Sequence, residues 1–241
     1  NDGVLNHSRL RPLTAAHMLQ AIDSAQGGPL AEGCVGAGTG TICFGWKGGI
    51  GTSSRHLPES LGGYTVGALA QTNYGGILQI DGLPVGQALG QYYLKDKLQT
   101  HSADGSIIII LATDAPLSDR NLTRLARRGL FGLARTGAAF SDGSGDYALA
   151  FSIAEAVRRT PERRRQVSAY PEVPNDKVSP LFLAALEAAE EAIYNSLTMA
   201  TEMTGYQGVR VPALPLETVR QLAQVKSIQI TQKTTFEPDE A

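Results

Sequence analysis

Cysteine is scarce in this chain. Two in 241 residues, Cys34 and Cys43, cannot build a disulfide framework, and neither sits in a CxxC or Cys/His spacing that would hold zinc. Both read as buried thiols. Histidine is nearly as rare, and His7, His17, His56 and His101 all fall in polar or turn contexts that lend a Ser-His-Asp triad no support. No HExxH is present. Long apolar runs are missing too: nothing approaches the roughly 18 residues a membrane span needs, and no signal-peptide pattern is visible. Charge of one sign is not in excess, with 21 Lys and Arg against 23 Asp and Glu. No global field therefore draws the chain to nucleic acid or to a membrane surface. The longest basic run, Arg158-Arg159 to Arg163-Arg164-Arg165, is broken by Thr160-Pro161-Glu162 and reads as a solvated loop.

What is present is an ordinary globular balance, 42% apolar and 18% charged, enough for a sizeable core. Thr14 caps an expected helix over Ala15 to Gln26, with Leu19 and Ile22 on one side and Gly27-Gly28 stopping it. From Gly33 to Gly51 eight glycines crowd together. The dinucleotide pattern GxGxxG fails at Thr41, and the P-loop pattern fails because Lys47 is followed by Gly48 rather than Ser or Thr. Glycines that permit bends and close backbone approach in short strands are the better reading, with Phe44 and Trp46 offered as pocket lining. Strands are expected over Thr65–Thr72, from Ile77 to Ile80, over Tyr147–Ser152 and over Val225–Ile230. Gln87 to Ser102 reads as an exposed loop. Ser118 is the expected N-cap of a helix with Leu122, Leu125, Ala126, Leu130, Leu133 and Ala134 on one stripe. A second long helix runs from about Pro180 to Met203, burying Leu183, Leu186, Ala189, Ile193 and Leu197, and a shorter one covers Leu216 to Gln224. Strands and helices intermix without repeats, so a single α+β domain over residues 1–241 is expected.

The stretch that organises the rest is Asp104-Gly105-Ser106 running into Ile107-Ile108-Ile109-Ile110 and on to Asp114. Four β-branched residues bounded by turn signals read as a strand buried on both faces. A serine at its first position, after a glycine, admits two readings. One is a strand-start hydroxyl that satisfies a loose backbone group. The other is a self-cleaving junction, where the Ser106 hydroxyl attacks the Gly105 carbonyl and Ser106 becomes a new N-terminus holding both nucleophile and base. The usual serine-hydrolase patterns are absent: Asp142 and Asp146 stand where a GxSxG elbow around Ser144 needs glycines, and no serine lies three residues before a lysine. A freed α-amine, with a pKa near roughly 8, would take the hydroxyl proton without any histidine.

Taken together, the motifs resemble the C-terminal two-thirds of the DmpA-type aminopeptidases, which include L-aminopeptidase/D-amidase-esterases and β-peptidyl aminopeptidases. The matching pieces are Asn1-Asp2-Gly3 with Leu5-Asn6, Lys47-Gly48-Gly49-Ile50-Gly51-Thr52-Ser53-Ser54-Arg55, the Asp104 to Leu117 segment, Gly143-Ser144-Gly145-Asp146, and Asn195-Ser196-Leu197. The resemblance implies a four-layer αββα sandwich similar to N-terminal-nucleophile hydrolases, with DmpA-type chain order. It implies cleavage between Gly105 and Ser106 into chains 1–105 and 106–241. It makes Ser106 the nucleophile, Asn73 an oxyanion donor, and Ser144 and Asp146 the pair that holds the nucleophile and its amine. Asn1 would lie near the substrate. No metal or cofactor is implied. Partners would be a small peptide, amide or ester substrate, further copies of the chain in a tetramer, and an upstream segment that supplies the family's N-terminal third and its ammonium-binding carboxylate. With Asn1 in place of Met at the start, material upstream is expected. The cytoplasm is the expected compartment, and a leader upstream would make it the periplasm. Two rivals stay open at this stage: an acyltransferase of the ornithine acetyltransferase type, whose threonine nucleophile Ser106 argues against, and an uncleaved relative that only binds small molecules.

Overall fold

A computed structural model describes residues 2–95 and 105–233 of the chain, with side chains described as far as residue 225. Asn1, His101, part of the loop expected before Ser106, and the C-terminal tail lie outside the described residues. In chain order the strands are β1 (Ile42–Cys43), β2 (Trp46–Lys47), β3 (Ile50–His56), β4 (Thr65–Asn73), β5 (Ser106–Thr113), β6 (Tyr147–Ser152), β7 (Met203–Thr204) and β8 (Arg210–Val211). The helices are α1 (Ala15–Asp23), α2 (Val85–Ala88), α3 (Asp119–Arg135), α4 (Pro161–Arg164), α5 (Ser179–Thr198) and α6 (Leu216–Lys233).

The central sheet has the order β3-β4-β5-β6. β3, β4 and β5 pair antiparallel, while β5 and β6 run parallel, joined by α3 as the crossover that a parallel pair requires. Alternation along β5 sends Ile107, Ile109 and Leu111 to one face, where α3 and α5 cover them completely. On β4 the covered partners are Val66, Ala68 and Ala70. Burying such aliphatic chains contributes on the order of 1.5–3 kcal/mol each, which makes this face the core.

α5 reaches the sheet by being small where it lands. Ala184, Ala185, Ala188, Ala189 and Ala192 run along its buried face between Leu181 and Phe182 at one end and Ile193 and Leu197 at the other, and the backbone comes so close that a Cβ on Gly51 would sit 1.9 Å from the Ala192 carbonyl oxygen. Polar links lock the register: Asn195 Nδ2 donates to the Thr52 carbonyl at 2.8 Å, and the Thr72 and Ser196 hydroxyls share a 2.7 Å hydrogen bond. Arg55 reaches Glu187 and Glu191 at the helix's outer edge.

The opposite face of the sheet is open. Ile108, Tyr147, Leu149 and Phe151 are exposed there, and no described element packs over them. β5 is therefore buried on one face, not on the two that its isoleucine run suggests. The described residues form this four-stranded sheet, a helical layer of α3 and α5 on one face of it, and two small two-stranded sheets, β1-β2 and β7-β8. The α+β class itself is borne out.

Other expectations shift in detail. Ile77 to Ile80 forms no strand; its amides pair with the Gly137 and Thr136 carbonyls next to single bridges. The long helix stops at Thr198; Ala189, Ile193 and Leu197 are buried as expected, while Leu183 is exposed and Leu186 half-buried, because the buried face is turned toward Ala184, Ala185 and Ala188 where the helix meets the sheet. On α3, Gly129 and Gly132 are buried where Ala134 was expected, since α5 crosses at Gly132. Val225–Ile230 is helical, as part of α6; six residues are too few to separate the two periods. α1 ends at Asp23, with Leu19 and Ile22 exposed, and Phe44 and Trp46 belong to the core rather than to a pocket wall. Among the described residues no helix is long and apolar enough to cross a membrane.

The contact at Gly51 gives a direct test. Gly51→Ala is expected to lower unfolding free energy by about 3 kcal/mol or more, because two backbones would have to part. Gly67→Ala, on the same sheet but with its nearest neighbour 4.0 Å away, should change it by less than about 1 kcal/mol. Equal thermal shifts for the two variants would contradict this packing.

Candidate functional site

The antiparallel register of β4 and β5 sets Asn73 directly opposite Ser106. Directly opposed residues share a face, with Cβ atoms roughly 4.5–5.5 Å apart. Because Ile107 points to the helices, Ser106 and Asn73 point to the open face. The parallel register of β6 adds the third piece. Tyr147 pairs with Ile108, so the residues just before β6 arrive level with Ser106. There the Gly145 N–H donates to Ser106 Oγ at 3.1 Å. Flanking it, Ser144 Oγ donates to Asp146 Oδ1 at 2.7 Å, in a turn closed by the Ser144 N–H on the Ser141 carbonyl. The structure thus gathers Ser106, Asn73, Ser144 and Asp146 at one end of the sheet.

One glycine is demanded by the crowding, and a second lies close against the hydroxyl. A Cβ on Gly105 would lie 2.0 Å from the Asn73 carbonyl oxygen, so the residue before Ser106 must lack one. A Cβ on Gly145 would stand 3.4 Å from Ser106 Oγ and 3.3 Å from the Tyr147 ring.

Asn73 is oriented by a backbone group. The Ile42 N–H donates to its Oδ1 at 3.1 Å, which leaves Nδ2 as the donor on the other branch of the amide. Ile42 sits on the β1–β2 hairpin, whose Phe44-Gly45 turn has both φ angles positive, the pattern of a tight two-residue connection. Phe44 N–H donates to the Tyr74 carbonyl at 2.7 Å and fastens the hairpin to the end of β4. Beneath it, burial pushes the Cys43 thiol up to about 12 and the Tyr74 phenol well above its usual value. Both are neutral core groups. Cys34 is only partly buried, so the expectation of two buried thiols holds for one of them.

The described histidines are occupied elsewhere. His7 stacks on Tyr206, His17 Nδ1 accepts from the Thr14 N–H that opens α1, and His56 pairs with Thr65 at the far end of the sheet. Among the described residues no group of three His, Cys, Asp or Glu could hold a metal ion.

Chemically, the cluster offers a hydroxyl with an N–H donor on its oxygen, a side-chain amide donor across the strand pair, and a hydroxyl–carboxylate pair alongside. The nearest nitrogen that could serve as base is that of Ser106 itself. As a peptide nitrogen it has no basicity; as a free amine it would. The backbone donors Gly145 and Ile42 were not foreseen from sequence, because an N–H carries no residue-type signal.

Comparison with known proteins follows the same lines. The model of peptidase family S58 matches residues 1–211. The chain is 42% identical over 226 residues to the beta-peptidyl aminopeptidase BapA of Sphingosinicella microcystinivorans, covering 89% of this chain and 57% of that protein. Among solved structures it resembles a Burkholderia sp. beta-aminopeptidase, with TM-score 0.77, 38% identity, and coverage of 98% of this chain and 64% of the other. It also resembles the L-aminopeptidase D-Ala-esterase/amidase of Ochrobactrum anthropi, described as a prototype for the serine aminopeptidases and a new variant among the Ntn hydrolase fold. That match has TM-score 0.82 and 37% identity, over 94% of this chain and 61% of the other. The chain spans roughly three-fifths of the length of these relatives, and it shares their fold.

Gly145→Ala checks the geometry around the hydroxyl. In the full-length protein it should reduce kcat by at least about tenfold, the scale of a misplaced reacting group, while the thermal midpoint stays within a few degrees. Unchanged kcat would show that a methyl group 3.4 Å from Ser106 Oγ leaves the placement of the hydroxyl undisturbed.

Proposed function

The chain belongs to peptidase family S58, and from that premise we propose that the whole protein is a self-processing serine aminopeptidase. It removes the N-terminal residue from small peptides, amides or esters through an acyl-enzyme on Ser106. The observation that carries this reading is the Gly145 N–H on Ser106 Oγ at 3.1 Å, with Asn73 directly opposite Ser106 on the facing strand.

The first reaction is on the chain itself. Ser106 Oγ attacks the Gly105 carbonyl carbon, the C–N bond breaks, and the nitrogen leaves as the Ser106 amine carrying the former hydroxyl proton. Water then hydrolyses the Gly105 ester, returning the hydroxyl and leaving a carboxylate on Gly105. In turnover the amine takes the Oγ proton as Oγ attacks the substrate carbonyl. Asn73 Nδ2 donates to the oxyanion, and the ammonium returns its proton to the departing amine or alcohol. Water repeats the sequence to release the acid. Ser144 and Asp146 hold the nucleophile and its amine through the turn that Gly145 completes. No metal or cofactor is needed for any step.

The open, apolar sheet face supports the expectation of an upstream segment. A contiguous apolar surface of this kind is normally covered, and the nucleophile projects from it. We assign its cover to the family's N-terminal third, together with the carboxylate that would bind the substrate's ammonium, since a buried cation requires an anion. Asn1 stays a candidate for substrate contact. A tetramer is carried over from the resemblance. The free thiols Cys34 and Cys43 suit a reducing compartment such as the cytoplasm.

Three measurements on the full-length protein test this. Ser106→Ala should leave the chain intact and remove turnover; activity within about tenfold of wild type is far above what survives loss of a nucleophile and would rule the role out. Asn73→Ala should lower kcat by roughly 10²–10³, the loss expected for one oxyanion donor. Below the amine pKa of about 8, kcat/KM should fall as the amine protonates; a flat profile from pH 5 to 8 would exclude the amine as base.

A further inference from the structure

Lys47 is the one charged side chain among the described residues that is withdrawn wholly from solvent, at 0% exposure. No carboxylate pairs with it there. Its Nζ donates to the carbonyls of Gly38 and Gly48, each at 2.7 Å, with the Cys34 sulfur beside it. A buried ammonium met only by neutral dipoles is expensive, and an apolar side chain of similar volume would commonly do as well or better for stability alone. Burial lowers the Lys47 pKa, the direction expected when the charged form is held at a cost. The position therefore asks for a reason other than stability.

The reason is in what the two carbonyls belong to. Gly38 lies just before β1, and its oxygen also accepts from Thr41 Oγ1 at 3.0 Å. Gly48 lies just after β2, and its N–H donates to the Thr41 carbonyl at 3.1 Å. The ammonium thus closes the open end of the β1–β2 hairpin. In that hairpin Lys47 stands directly opposite Ile42, and their amides point outward on opposite edges: Lys47 N–H to the Pro212 carbonyl at 2.8 Å, Ile42 N–H to Asn73 Oδ1 at 3.1 Å.

We propose that Lys47 is a positioning residue for the oxyanion donor: by tying the two strands together at the open end of the hairpin it fixes the Ile42 N–H, which in turn holds the Asn73 amide with Nδ2 left to donate. The inference rests on the reading of Asn73 given above. A loosened hairpin would let the amide rotate and offer Oδ1, a negative dipole end, where negative charge develops. Preorganised donors matter most for this kind of stabilisation, because reorganising them during reaction forfeits the gain.

The test is a cycle in the full-length, self-processed protein, with Lys47→Met, Asn73→Ala and the double variant compared for kcat, KM and thermal midpoint. Lys47→Met is expected to reduce kcat by about 10–100-fold with KM within about threefold, as for an interaction made in the transition state. In the Asn73→Ala background the same change should cost less than about threefold, the non-additivity of residues acting through one another. Lys47→Gln, which keeps an N–H donor for one carbonyl, should fall between. Additive losses, or an unchanged kcat in Lys47→Met, would overturn the inference while leaving Asn73 as donor. An Asn73→Ala variant with full kcat would instead remove the reading beneath it. If neither lysine variant folds, the lysine serves stability alone and the inference is likewise overturned.

Discussion

Asn73 and Ser106 face each other across two antiparallel strands, and nearly everything else in the molecule serves to keep that pairing where it is. β4 and β5 are the two inner strands of the central sheet, so their register is fixed from both sides. One-residue slippage would turn Ile107, Ile109 and Leu111 out of the core, a penalty that pins register strongly when one face is buried. The hydroxyl and the amide at the end of the ladder inherit that rigidity. Their neighbours arrive by the same logic, Gly145 because β6 is in parallel register with β5, Ile42 because the hairpin is zipped to Tyr74.

The two faces of the sheet have different tasks. One is sealed by α3 and α5, with backbone so close at Gly51 and Gly132 that only glycine fits. The other bears Ser106 and Asn73 at one end and exposed Ile108, Tyr147, Leu149 and Phe151 beside them. Under the function proposed above, such a surface would be covered and would supply the floor of a cleft. Excluding water there would strengthen every dipole aimed at Ser106, since electrostatic interactions grow as the local dielectric falls.

Much of this was legible in the residues. The strands expected over Thr65–Thr72, from Ser106 and over Tyr147–Ser152 carry β-branched or alternating patterns bounded by turn residues, and they form, the first reaching Asn73 and the second buried on one face only. Helix α3 was marked by its leucine spacing. The helix faces were partly legible: Ala189, Ile193 and Leu197 of α5 are buried as their spacing suggested, but Leu183 is exposed and Ala184, Ala185 and Ala188 take its place, a rotation set by the close approach of β3. The C-terminal part of α6 imitated a strand over six residues. In the site, Ser106 stood out as a glycine-preceded hydroxyl on a buried strand. Asn73, Ser144 and Asp146 acquired roles only through the family resemblance, and their gathering around Ser106 depends on strand register that local sequence does not encode. Gly145 and Ile42 act through peptide N–H groups, which every residue but proline possesses. Lys47 read as a failed P-loop lysine and as the first residue of a motif shared with the family, and its place in the hairpin came into view only with its two carbonyl partners.

The account depends on a basic nitrogen at Ser106, and a peptide nitrogen is not basic. Intact-mass analysis of the catalytically competent, full-length protein, followed by Edman sequencing, examines that directly. Two polypeptides are expected, their masses summing to the chain plus one water and the second beginning Ser-Ile-Ile-Ile. A single uncleaved polypeptide with full activity would contradict it.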